Sequence, residues 1–444
     1  MDYSFSKEID DFRKNIDSIW EIYPSLMIML TSTFKKQMRQ AYNIMDKYAV
    51  GRKKTKDNTV LIAIPSEKYD EIEKNIRMFE RFRAACKLTP RTFIVSIVSQ
   101  YDAFVGRLIR GIFFSKPEVL DSSQKPITYS SLVSFGSFED AREYIIEEEI
   151  DGLLRKSHDE QFSWLENKMG ISLRKNLDIW KEFIEITERR NLFVHCNGIV
   201  SKSYLEVCKR NGVIFEKKRK IGEELDVNPE YFRKAYRCFL EVGVKLGQVI
   251  WRKLLPGEIE EADKQLNNLC VDLINEEEYI VAEKLLELAI AEFSRRSTEQ
   301  LKLYYKFNLA QTYKWKGEIQ KCEEILSKID ISTLSDEYQL SDAVLKDNFE
   351  KASQIMRQIG KKGKVSEIDY RIWPIFKEFR KNNIFERTYE EIFGQRFQIE
   401  TKPTTEQICI DFEKSMRKKK PEKHKKISKK VKKKKAKIKK KKEK

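Results

Sequence analysis

Along most of this chain apolar residues recur every third or fourth position, a period that predicts helices far more often than strands. Within residues 1–50, Ile16, Ile19 and Tyr23 mark one or two amphipathic helices. Residues 51–58, Gly-Arg-Lys-Lys-Thr-Lys-Asp-Asn, interrupt the period, and 59–65 then read as a short strand, being β-branched and bounded by turn formers. Thr89 followed by Pro90 suits a helix start, because an N–H in the first turn lacks an intrahelical partner anyway. Residues 93–110 follow as a helix apolar nearly all round, which belongs in the middle of a bundle. Further helices are expected at 139–154, 159–168, 178–195 and 229–254.

A shift of 40 residues superposes Leu269-Cys270, Leu273, Glu278, Ala282 and Leu286 on Leu309-Ala310, Tyr313, Glu318, Cys322 and Leu326. This spacing resembles tetratricopeptide repeats, where small residues let the two helices of a hairpin approach closely. A third hairpin at 343–359 matches less well, so the array is expected to lean on the bundle, with the aromatic-rich stretch 370–397 closing its end. Four regions follow: an N-terminal helical extension 1–87, a helical bundle 88–258, a repeat region 259–401 and a basic tail 402–444. The expected fold class is mainly α.

Charge sharpens the last boundary. The formal net charge is +17, and residues 417–444 alone hold 19 Lys or Arg against two Glu. Residues 1–416 are therefore formally neutral, with 68 basic and 68 acidic side chains. Lys runs with so few large apolar residues cannot offset the entropy of ordering, so the tail is expected to be disordered, steering RNA or acidic partners with little selectivity. Seven scattered cysteines and three histidines form neither a disulfide framework nor a zinc-type spacing. No metal or cofactor is expected. No apolar run approaches the roughly 20 residues a bilayer needs, and the N-terminus lacks a basic segment followed by an apolar one, so a cytoplasmic location without membrane contact is expected. Walker loops, dinucleotide-type glycine turns and nucleophile-elbow serines are missing too, which argues against the commonest ATPases, dehydrogenases and hydrolases.

Candidate chemistry concentrates in residues 188–199, Glu-Arg-Arg-Asn-Leu-Phe-Val-His-Cys-Asn-Gly-Ile. Asn191 and His195 share a helix face, and Arg190 can swing its long arm round to them. Asn197-Gly198 is the pair best able to take a left-handed helix stop, which puts His195 in the last turn, where the helix dipole favours imidazolium. RNA carries its own nucleophile in the 2′-hydroxyl, so cleavage needs proton transfer and charge neutralisation. His195 suits the first and Arg190 the second, with Asn191 orienting either. Neighbouring groups read as structural: Asp102 as a core or surface carboxylate, His158 as a surface helix start, Glu188 and Arg189 as solvated, and Cys196 as packing.

The segment resembles the HEPN superfamily, whose signature is an Arg, usually followed by a polar residue, and then a His four to six residues on at the end of a bundle helix. The resemblance extends over about 88–255, through Gln100-Tyr101-Asp102-Ala103-Phe104, the Trp180 helix and Gly198-Ile199-Val200 with Tyr204-Leu205. It implies a metal-independent endoribonuclease that works as a homodimer on RNA, with Arg190, Asn191 and His195 as catalytic residues, and the biology of a toxin or phage-defence effector. The alternative is a non-catalytic scaffold that binds nucleotides, or a protein partner through the repeat region.

Overall fold

A computed structural model of the chain describes residues 3–55, 60–122, 127–175, 177–215 and 217–398; the expectation of disorder in the tail, 402–444, lies outside the described residues. The molecule is mainly α. Helix α1 spans Phe5–Tyr48, strands β1 (Gly51–Lys54) and β2 (Val60–Ala63) pair antiparallel, and α2 spans Tyr69–Ser115. There follow α3 (Tyr129–Ser134), α4 (Phe138–Leu154), α5 (His158–Met169), α6 (Trp180–His195), α7 (Lys202–Arg210) and α8 (Pro229–Leu254). The remaining helices are α9 (Ile259–Asn275), α10 (Tyr279–Leu288), α11 (Glu299–Lys316), α12 (Ile319–Ser327), α13 (Asp336–Leu345), α14 (Phe349–Ile359), α15 (Glu367–Ile372) and α16 (Asn383–Phe393).

Most helix limits follow from local chemistry. Asn228 caps α8 through the Tyr231 N–H with Pro229 at its first position, and Ser157 with Glu160 forms a reciprocal capping box on α5. The expected helix start at Thr89-Pro90 is not there. Pro90 lies inside α2, which runs through it unbroken, so the 87/88 boundary between an extension and a bundle falls within one helix. Buried side chains beyond it, from Arg91 and Ile94 to Phe113, hold the helix together despite the one backbone hydrogen bond that proline removes. Pro24 sits inside α1 in the same way, and the two prolines border a single cleft of about 720 Å³ with Trp20, Tyr23 and Arg233.

The first turns of α1 belong to the bundle. Phe5, Ile9, Phe12 and Ile16 are fully buried, and Phe12 stacks on Phe104 of α2 at 4.3 Å. Gly243 of α8 allows this approach: a Cβ there would lie 2.2 Å from the Phe12 ring. From Pro24 to Thr89, by contrast, Ala41 and Ile72 are the only buried residues among those described, so the distal halves of α1 and α2, tipped by the β-hairpin, form an arm. Of the described segments, only residues 66–115 are long and apolar enough to cross a bilayer, and half of their most apolar window is packed inside the bundle.

Helices α9 to α14 form three successive hairpins with one turn geometry. Glu277, Gly317 and Asp347 take left-handed φ values of 63°, 84° and 55°. The next residue in each, Glu278, Glu318 and Asn348, donates its N–H to the carbonyl five residues back at 2.9 Å. Ala282, Cys322 and Ala352 then supply a buried small residue on the second helix. Ion pairs fasten this region to the bundle, among them Arg237–Glu278 at 2.6 Å and Arg13–Asp272 at 2.8 Å. Beyond it Tyr370, Phe376, Phe379, Phe385 and Tyr389 are buried in an aromatic end cluster.

Candidate functional site

Helix α6 buries Phe183, Ile184, Ile186 and Leu192 and ends as its sequence demands. Asn197 and Gly198 adopt φ values of 50° and 80°, and the Gly198 N–H returns to the Leu192 carbonyl at 2.9 Å. Gly198 is required twice over, since a Cβ there would also lie 3.1 Å from the Arg91 guanidinium. Arg91, buried on α2, clamps the turn: Nη1 donates to the Asn197 carbonyl at 3.0 Å, and Nη2 to the Leu225 carbonyl and to Asp226 at 2.9 and 2.8 Å. The last turn of α6 is thus held by groups about 100 residues away.

On one side of α6 lies a closed polar network. Glu185 accepts from Arg189 at 2.8 Å, from the Tyr204 hydroxyl at 2.7 Å and from the Tyr231 hydroxyl at 2.8 Å, while the Arg189 guanidinium stacks 3.9 Å from the Tyr231 ring. Burial works to lower the Arg189 pKa, but facing Tyr231 and Glu185 outweigh it and hold the guanidinium charged. Burial likewise pushes the nearby Cys208 thiol up to about 12. Arg189 is 6 % exposed, so it is a buried strut and not the solvated charge its sequence suggests.

On the other side, Arg190 donates through Nη2 to Asp102 Oδ2 and through Nη1 to Asn191 Oδ1 at 3.2 Å; Asn191 Nδ2 reaches Glu188 at 3.4 Å. The second oxygen of Asp102 lies 2.9 Å from His158 Nε2, so one carboxylate joins α2, α5 and α6. His158 is 7 % exposed, packed edge-on against Phe183, and therefore not the surface residue its helix-start position suggests. Burial raises the Glu188 pKa. Arg190 Nε is buried with no hydrogen-bond partner among the described residues, and the side chain as a whole is 20 % exposed.

The structure thus brings Arg190 and Asn191 together and adds Asp102 and His158, which sequence reasoning set aside. The available signal was that Asp102 is the one acidic residue in the apolar run 93–113. His195 stands apart on the last turn, exposed, one helical turn beyond Asn191 on the same face, and it makes no side-chain hydrogen bond or ion pair among the described residues. Cys196 is exposed too, since it lies at the helix stop, and so does not pack as expected. Among the described residues no group of three or more His, Cys, Asp or Glu side chains is placed to hold a metal ion. No family model, curated protein or solved structure matches this chain.

Proposed function

We propose that the chain is an endoribonuclease of the HEPN type, acting as a homodimer and cutting RNA by attack of its own 2′-hydroxyl. One observation carries the reading: a helix locked on its buried side presents His195 at its open end and, a turn earlier, an Arg190 held in place by the Asp102–His158 pair. In this mechanism an imidazole takes the 2′-hydroxyl proton as that oxygen bonds to phosphorus, and a second imidazole protonates the departing 5′-oxygen. The products are a 2′,3′-cyclic phosphate and a 5′-hydroxyl. One chain offers a single exposed histidine in the motif, and two copies related by a two-fold axis supply the pair. Arg190 neutralises charge on the pentavalent phosphorus, and Asn191 fixes the guanidinium from its other edge. Metal independence is what the motif resemblance implies, and so is a role as a toxin or phage-defence effector.

The test incubates wild type, His195→Ala and Arg190→Ala with labelled total RNA in EDTA and reads cleavage and end chemistry. The expected outcome is cyclic phosphate ends from wild type, with both variants slowed by at least about 100-fold. Intact RNA with all three proteins, each folded and dimeric, would move the assignment to the non-catalytic scaffold.

A further inference from the structure

The arm and the bundle differ in charge as well as in burial. Residues 24–55 and 60–88 hold 13 Lys or Arg against six Asp or Glu, although residues 1–416 together are formally neutral. The excess is not spread evenly. Along the outer face of α1, Ser32, Lys35, Lys36, Arg39, Gln40 and Asn43 line a shallow groove of about 350 Å³. Every lining side chain carries a hydrogen-bond donor and none is a carboxylate. Lys35, Lys36 and Arg39 are exposed and make no ion pair among the described residues, unlike Arg52, Arg77 and Lys87, which are taken up by Asp46, Glu73 and Glu224.

The groove covers twelve residues of helix, Ser32 to Asn43, about 16 Å from end to end at 1.5 Å per residue, a length that spans several phosphates of an extended strand. Tyr42, three residues past Arg39 and 61 % exposed, adds a ring beside the cations, and β1 continues the run with exposed Lys53 and Lys54. A track of cations and neutral donors with an aromatic alongside is the composition that holds single-stranded nucleic acid without reading its sequence. The arm is also joined to the candidate site: four residues along α2 from Lys87, which pairs with Glu224, Arg91 clamps the turn that ends α6.

We propose that this face of α1 is a binding surface for the phosphate backbone of single-stranded RNA, which it leads toward the Arg190–His195 end of α6. The choice of RNA rests on the function proposed above, but the surface itself does not depend on cleavage. The test therefore uses the full chain carrying His195→Ala, so that RNA is bound and not consumed. Crosslinking to a 4-thiouridine-labelled single strand is mapped by peptide mass spectrometry, and affinity is measured across a salt series.

Crosslinks within residues 28–54 are expected. Combined Lys35→Gln, Lys36→Gln and Arg39→Gln should weaken binding about tenfold and flatten the salt slope by about two, since each lost phosphate contact removes about 0.7. The basic tail is the same in both proteins and cancels in that difference. A charge-preserving control, Lys35→Arg with Lys36→Arg and Arg39→Lys, should bind as the parent does, which separates lost charge from a disturbed helix. Crosslinks confined to the tail with an unchanged slope would overturn the proposal. So would loss of binding to anionic lipid vesicles in the Gln variant while RNA binding stays intact. RNA held by the arm of a wild-type chain that never cuts it would remove the ribonuclease reading and leave the arm.

Discussion

Arg189 and Arg190 are neighbours on one helix, yet they belong to different kinds of surroundings. Arg189 is enclosed: its charge is matched by Glu185, its plane covered by Tyr231, and its carboxylate shared with two tyrosine hydroxyls. Arg190 is half-open, tied by one hand to Asp102 and by the other to an asparagine. The first arrangement leaves nothing free to react and fixes the rotation of α6 about its axis. The second keeps a cation at the surface with its direction set. Successive positions on a helix point about 100° apart, so a single turn can carry both a structural anchor and a reactive group.

The largest way to break this contrast is Arg189→Met. It strands Glu185 as a buried carboxylate, and a broken buried pair costs about 3–5 kcal/mol. Thermal unfolding should show that loss, while the molecules that remain folded still cleave RNA. Asp102→Asn should do the reverse: melting shifts by no more than about 1 kcal/mol, whereas cleavage falls about 10- to 100-fold because Arg190 loses its orientation. Faster cleavage by Asp102→Asn would mean that Asp102 restrains Arg190 and does not position it. The smallest effect is expected at Glu188. Its pKa is raised by burial, so the folded state binds its proton more tightly than the unfolded chain does, and stability is lost as pH rises past the ordinary carboxylate range near about 4. Glu188→Gln removes this dependence, and unfolding followed from pH 4 to 7 should show the variant gaining on wild type.

What could be read from the sequence was local. The ends of α8, the stop at Asn197-Gly198 and the first two hairpins rest on residues a few positions apart, and each is where its pattern puts it. The third hairpin looked weak for a simple reason. Its turn lies 30 residues after the second, whereas the second follows the first by 40. The Asp102 link was hidden because its partners, His158 and Arg190, are 56 and 88 residues away. His158 was misplaced by a sound rule applied too far, since Ser157 and Glu160 do start a helix there, but the helix start is itself packed under Phe183. Pro90 misled for a related reason: the penalty of a proline inside a helix is real, and buried contacts on its C-terminal side exceed it.

That penalty has a further consequence. Pro24 and Pro90 each delete one rung from the ladder of backbone hydrogen bonds, and they do so where the two helices leave the bundle. Opening of the distal segment therefore need not propagate into the layer containing Phe12 and Phe104. Two tiers of local unfolding free energy are expected, with the amides of residues 25–55 and 60–88 exchanging with solvent well before those of α6 and α8.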